Sequence, residues 1–321
     1  MAKRKKGLKE ITGLVNLYKP PNITSFKAAD TFRKRIEAKK AGHCGTLDPM
    51  ADGVLLVCFG QAVRFVDIIG RLEKKYEGIM KLGESTDTQD KEGNIINRSN
   101  YEHLTSKKIE KAFQQFEGVI EQCPPMYSAV KHKGKPLYLY ARNGIEIDRA
   151  SREVFIKSLT IDKIFLPYVH FRVTCSKGTF IRTLCDDIGQ LLGCYGHLNK
   201  LTRTAIGDFR IQDSVLIDDL PEIHDDINES NFLMPIQKAL YFLDTLVVDD
   251  ARKYKMLNGQ QVQASLNDSF KAIKSKNGMM KIMDTNMNFI CVASVLNNHK
   301  LDYFTLQPKI VIHSNNMVKS N

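Results

Sequence analysis

Asp48 stands near the centre of Gly42-His43-Cys44-Gly45-Thr46-Leu47-Asp48-Pro49-Met50-Ala51-Asp52-Gly53, just ahead of the apolar run Val54 to Phe59. Glycine admits backbone shapes and close approaches that other residues refuse, and Pro49 fixes its own φ and lacks a donor. A residue before proline is steered away from the helical region, so Asp48 is expected extended, with its carboxylate aimed by the loop. Two readings stand at this point: a local cap of turn N–H groups, or a carboxylate held for chemistry. Three distant residues could join it, namely Tyr76 on an alternating strand, Arg182 at a helix start and Leu201 in an apolar turn. A cation is unfavourable at a helix N-terminus, so Arg182 calls for a specific anionic partner. A carboxylate forked by arginine is kept ionised, which suits a nucleophile or base better than a general acid. A buried structural ion pair is the alternative.

The elements that must position these groups follow from local pattern. Gly13 to Tyr18 reads as a strand and Lys19-Pro20-Pro21-Asn22 as a turn. Thr24 or Ser25 caps a helix with Phe26, Ala29, Phe32 and Ile36 on one face, ending at Lys39-Lys40 and Gly42. Those two lysines suit either the helix dipole or an RNA phosphate. Gly53 to Phe59 is a strand buried on both faces, Gln61 to Ile69 a short helix, and Lys74 to Leu82 a half-buried strand. Its Tyr76 shares a face with Gly78, Met80 and Leu82. Gly83 to Asn97 reads as a loop, and Thr105 starts a helix carrying Ile109, Ala112, Phe113 and Phe116. From Cys123 to Arg142, tyrosines alternate with lysine, arginine and histidine, including Lys131, Tyr138 and Tyr140. Rings for bases and charge for phosphates are what a single-stranded RNA contact uses, and a solvated basic loop is the plain alternative. Strands at Val154 to Phe165 and Val169 to Cys175 lead to a helix from Phe180 to Leu192. An acidic segment, Asp213 to Glu229, precedes a β-rich terminal portion.

The chain has 321 residues, ordinary apolar content and a net charge of +11, so an anionic partner such as nucleic acid is expected. Its basic N-terminus is not followed by an apolar core, so it is not a signal peptide, and no stretch has the length of a membrane span. Seven scattered cysteines form no Cys-x-x-Cys pair and no zinc-like spacing, which fits reduced thiols in a cytoplasmic protein. No metal or cofactor is expected, because neither a ligand cluster nor a phosphate-binding glycine loop is present.

The ordered string Gly42-His43-x-Gly45-Thr46-Leu47-Asp48-Pro49-x-Ala51-x-Gly53-Val54-Leu55 closely resembles the catalytic motif of the TruB family of pseudouridine synthases. The likeness continues through Leu14 to Ser25, Lys75-Tyr76, Pro125 to Lys131, Ser176 to Thr183 and His197 to Phe209, and covers residues 13 to about 210. It implies an α+β fold with a largely antiparallel mixed sheet flanked by helices. The implied organisation is a basic tail (1–12), a catalytic domain (13–245) with an RNA-gripping insertion (123–152), and a small PUA-like domain (246–321). The implied reaction is conversion of uridine 55 in the TΨC loop of tRNA to pseudouridine, on a base flipped out of the loop. The partner is then the tRNA T arm, met by a cytoplasmic monomer without membrane or obligate protein partner.

By the same resemblance Asp48 is the catalytic aspartate, Tyr76 stacks on the uracil and helps remove the C5 proton, and Arg182 pairs with the aspartate. Leu201 packs on the base, His43 keeps it extruded, and Phe180, Lys19, Pro20 and Lys131 complete the substrate contacts. Ester formation at C1′ and proton removal from C2′ both remain open for Asp48. Phe180 stands where relatives often carry tyrosine, and Pro21-Asn22 replaces a Pro-x-Gly turn. Asp52 occupies a variable position and reads as a surface carboxylate. Two other functions stay in view: an RNA-folding factor without catalysis, and a nucleoside hydrolase that would release free uracil.

Overall fold

The computed structural model describes residues 8–217, 232–265, 278–296 and 303–312. The first part of the chain runs β1 (Gly13–Lys19), α1 (Ser25–Arg35), β2 (Ala41–His43), β3 (Asp52–Phe59), α2 (Val66–Ile69) and β4 (Lys74–Leu82). Next come β5 (Glu84–Thr86), β6 (Ile95–Arg98), α3 (Ser106–Gln114), β7 (Gly118–Gln122), β8 (Lys131–His132), β9 (Lys135–Pro136) and α4 (Leu137–Ala141). β10 (Arg152–Phe165), β11 (Tyr168–Cys175), α5 (Ile181–Leu191), β12 (Gly196–Ile206), β13 (Phe209–Arg210) and β14 (Val215–Leu216) follow. The remainder holds α6 (Ile236–Ala239), β15 (Asp244–Val248), α7 (Asp250–Leu257), β16 (Val262–Ser265), β17 (Met279–Asp284), β18 (Phe289–Leu296) and β19 (Tyr303–Val311).

A ten-stranded mixed sheet dominates, in the order β14-β1-β3-β12-β4-β11-β10-β7, with β2 paired to β3 and β13 to β12. Most neighbours are antiparallel; β3 with β12 and β1 with β14 are parallel. The apolar run of β3 is explained by its two covered faces. Leu55, Val57 and Phe59 pack with Ala28, Ala29 and Phe32 of α1, while Val54, Leu56 and Cys58 pack with Phe65, Ile68 and Ile69. β4 alternates as expected, with Tyr76, Gly78, Met80 and Leu82 inward. Against this face lies a core built with α3 and α5 through Ile109, Phe113, Leu184 and Ile188.

The terminal strands form a second sheet, β15-β17-β18-β19-β16. It does not stand apart. Met279, Met283, Phe289, Val292 and Ile312 complete the core around Phe65, the rings of Phe65 and Phe289 lie 5.8 Å apart, and Arg64 donates to the Val311 carbonyl at 2.6 Å.

Several local expectations change. α1 ends at Arg35, because the backbone leaves the helix at Ile36 and Glu37 takes a φ of 56°. Its last turn is therefore supplied by Arg33, Lys34 and Arg35, while Lys39 pairs with Glu10. Phe26 is 73% exposed, and the buried face runs through Ser25, Ala28, Ala29 and Phe32. Gly60 to Phe65 is a 3-10 turn before α2. The expected loop at 83–97 contains the paired β5 and β6. Leu201 sits within β12, at the centre of the sheet, and not in a turn. Most of the acidic segment, from residue 218 on, lies outside the described residues.

Candidate active site

The loop from Gly45 to Gly53 is fastened on all sides. Ser25, the first residue of α1, both donates to the Leu47 carbonyl at 2.9 Å and accepts from the Leu47 N–H at 2.8 Å. The Pro49 carbonyl accepts from the Asn22 N–H at 2.8 Å and from Lys19 Nζ at 3.2 Å. Asn22 has a φ of 67°, so it fills the left-handed position of this turn that glycine would otherwise take, as asparagine can. On the far side Arg203 donates from its guanidinium to the carbonyls of Val54, Thr46 and Gly45 at 2.7, 3.2 and 3.2 Å. Gly53, at a φ of 107°, lies against the β12 backbone so closely that a Cβ there would meet the Arg203 carbonyl oxygen at 2.3 Å.

Within this frame the Asp48 carboxylate accepts two hydrogen bonds from Arg182, from Nε at 2.9 Å and Nη2 at 3.3 Å. Among the described residues these are its side-chain partners, so it caps no turn N–H. The Asp48 side chain is 31% exposed and that of Arg182 only 4%, so the carboxylate is reachable from outside while the guanidinium that fixes it is buried beneath. Arg182 also donates to the carbonyls of Thr88 and Tyr127, both at 2.8 Å, and stands 3.6 Å from the buried Asp90. One arginine thus ties the Asp48 loop to the 88–90 turn and to the insertion. Asp90 is held in turn by the Thr88 hydroxyl at 2.6 Å and the Glu92 N–H at 3.0 Å.

Tyr76 and Leu201 line the same apolar core as Leu47, Met50 and Ala51. On the paired strands Tyr76 lies opposite Arg203, and Leu201 opposite Gly78. Burial pushes the Tyr76 phenol up from its ordinary range, while the Arg203 guanidinium pulls it back. His43, at the end of β2, has a buried Nδ1 without a partner; burial, and secondarily Arg203, hold it below the usual histidine range. It borders a groove of about 530 Å³ that also includes Thr46, Arg71 and Lys177. Phe180 precedes α5, with its N–H donating to Gln122 at 3.0 Å and its carbonyl accepting from Gln122 at 3.2 Å.

The other expected contact residues divide. Lys131 is exposed on the β8–β9 hairpin, and Pro20 is half-buried. Lys19 is fully buried, with Nζ enclosed by the carbonyls of Ile23, Pro20 and Pro49 at 2.8, 2.9 and 3.2 Å. Burial lowers its pKa to about 8. It braces the loop from within. Asp52 is not a surface carboxylate: it is half-buried in β3, and Oδ2 accepts from the Tyr18 hydroxyl at 3.1 Å. Asp90, Gln122 and Arg203 were not singled out in the sequence. The alternation Leu201-x-Arg203-x-Ala205, which puts an arginine on an inward face, is the trace that Arg203 left there.

A family model described as the N-terminal domain of TruB family pseudouridylate synthases matches residues 33–181, and one described as the tRNA pseudouridylate synthase B C-terminal domain matches 182–241. The tRNA pseudouridine synthase B of Clostridium kluyveri is 44% identical over 82% of this chain and 89% of its own length. The chain belongs to the TruB family of pseudouridine synthases. The enzyme of the same name from Burkholderia mallei is 38% identical over 88% of this chain and 93% of its own. Among solved structures, that of a Cbf5-Nop10-Gar1 complex superposes with a TM-score of 0.68 at 25% identity, covering 96% of this chain and 85% of the other. The α+β pseudouridine synthase fold with a β-rich C-terminal portion is thereby the fold of this chain. Among the described residues no helix is long and apolar enough to cross a membrane.

Proposed function

We propose that this TruB-family chain converts uridine 55 of the tRNA TΨC loop to pseudouridine, with Asp48 as the group that opens the glycosidic bond. The single observation that carries the reading is the Arg182 fork on Asp48, which leaves a carboxylate fixed in orientation and still partly exposed. In the reaction the C1′–N1 bond breaks, the uracil turns, a C1′–C5 bond forms, and the proton on C5 is exchanged for one on N1. Asp48 either attacks C1′ or takes the C2′ proton; a fixed, forked carboxylate serves both. Tyr76 carries the uracil ring and stands by for the C5 proton, Leu201 closes the other side, and His43 holds the flipped base out of the loop. Phe180 packs at the edge of the site, and Lys131 meets phosphate. Lys19 and Pro20 act on substrate through the loop they brace.

The same reading divides the chain into a catalytic domain (13–245), an insertion (123–152) that closes on the T arm, and a PUA-like domain (246–321) that extends the RNA surface. Support comes from the exposed Lys131, Lys133 and Lys135 of the insertion and the cation–π stack of Arg142 on Tyr138. The protein then works as a cytoplasmic monomer, in the compartment where tRNA is matured.

The test uses a T-arm stem-loop. Asp48→Asn is expected to bind it with affinity near wild type and to form no pseudouridine. Robust turnover by that variant would remove Asp48 from its role, and free uracil in the wild-type reaction would replace the isomerase by a hydrolase.

A further inference from the structure

Arg203 is buried more deeply than a side chain of its charge normally is, at 1% exposure in the middle of the sheet. No carboxylate among the described residues pairs with it; its hydrogen bonds run to three backbone carbonyls, which use three of its five N–H groups. An enclosed cation without a counter-charge is costly, and its neighbours register it. The charge depresses Lys74 and His43, in each case second to burial, and in Tyr76 it acts against burial. Arg203 and Tyr76 are directly opposed on adjacent antiparallel strands, and both side chains lie on the covered face. The remaining titratable groups around Tyr76 are Asp48 from the loop, Cys175 from β11 and Lys74 on its own strand; Lys75 and Glu77 point away and are exposed.

We propose that Arg203 is a positioning residue for the isomerisation: its unpaired, buried charge makes Tyr76 a usable proton acceptor for C5. The inference rests on the function proposed above. Once C1′ is bonded to C5, the phenolate oxygen takes the C5 hydrogen as a proton. The C5–H electron pair closes the C5=C6 double bond and the C6=N1 pair moves onto N1. N1 then takes a proton from the phenol, directly or through water, which restores the phenolate. Burial holds Tyr76 toward the neutral phenol, and the Arg203 charge opposite it lowers the cost of the phenolate when it forms. The bonds of Arg203 to Gly45 and Thr46 also hold the Asp48 loop in register with that acceptor.

Single-turnover rates of wild type, Arg203→Lys and Arg203→Gln, on a T-arm stem-loop carrying hydrogen or deuterium at C5 and followed across pH, test this. Arg203→Gln is expected to slow conversion about tenfold or more with KM little changed. Its ascending pH limb should move up by about one unit, and the deuterium effect should grow as proton removal becomes limiting. Arg203→Lys keeps a charge and should restore part of the limb position; it carries the test if the glutamine variant fails to fold. In the Tyr76→Phe background Arg203→Lys should add little further loss. An unchanged pH limb and deuterium effect in the folded variants would overturn the inference, reducing Arg203 to a loop clamp. A wild type that forms no pseudouridine would instead overturn the function on which it rests.

Discussion

At the residue scale, the site is decided by where Arg182 spends its donors. The guanidinium serves Asp48, the carbonyls of Thr88 and Tyr127, and the nearby Asp90, so three parts of the chain (the Asp48 loop, the 88–90 turn and the insertion) depend on one planar fork. A lysine offers one ammonium and cannot hold two carboxylate oxygens in a plane. Arg182→Lys is therefore expected to bind RNA while losing about a hundredfold in turnover, as displaced catalytic groups do, in single-turnover kinetics. Arg182→Met leaves Asp48 and the buried Asp90 without their shared cation and is expected to cost about 3 kcal/mol of stability, read from the denaturant midpoint. The same scale explains why Asp48 is not a turn cap. Ser25, Lys19, Asn22 and Arg203 already fasten the loop through its backbone, which leaves the carboxylate for Arg182.

At the element scale, strands were easier to read in the sequence than the turns between them. β3 and β4 announce themselves through an unbroken apolar run and a strict alternation, because one is covered on both faces and the other on one. The end of α1 lies earlier than the sequence predicts, because the basic run through Lys40 continues the pattern past the point where Glu37 breaks it with a positive φ. Asp90 escaped because a loop rich in Asp, Thr and Gly gives no local sign that one of its carboxylates is buried beside an arginine 92 positions later. Arg203 escaped because a buried arginine in mid-strand runs against the usual distribution of charge.

Element packing also has a consequence for pH. At the start of β4, Lys74 is buried and donates to the carbonyls of Gly70 and Leu72, and burial lowers its pKa from 10.5 to about 8. Between those values the unfolded chain binds the extra proton, so stability rises with pH. Lys19 acts in the same direction, with a pKa of about 8. Denaturant unfolding from about pH 8 upward should show this gain, and Lys74→Met should flatten it. A slope of the opposite sign would contradict the assignment.

At the scale of the whole molecule, the two sheets share apolar contacts that neither buries alone. Phe289 packs on Phe65 within a cluster that includes Val54, Leu56 and Ile69, on the side of β3 facing away from α1. Phe289→Ala is thus expected to cost about 3–4 kcal/mol and to lower the single unfolding transition of the protein. Two separate transitions, with only the later one shifted by the substitution, would contradict a shared core. The net charge of +11 sets the other property of the whole chain. RNA affinity should fall steeply and linearly in log–log form as salt rises, by a slope that counts the phosphate contacts. A filter-binding series with a flat salt response would remove electrostatics from the account of recognition.

The central claim is that an arginine-fixed Asp48, a buried Tyr76 and a rigid loop amount to an isomerase for a single tRNA uridine. The most direct measurement is pseudouridine mapping of unmodified tRNA transcripts incubated with the purified protein. The account predicts one new pseudouridine, at position 55 of the T loop, formed by wild type and not by Asp48→Asn. Modification confined to another position, or none with correctly folded wild type, would contradict it.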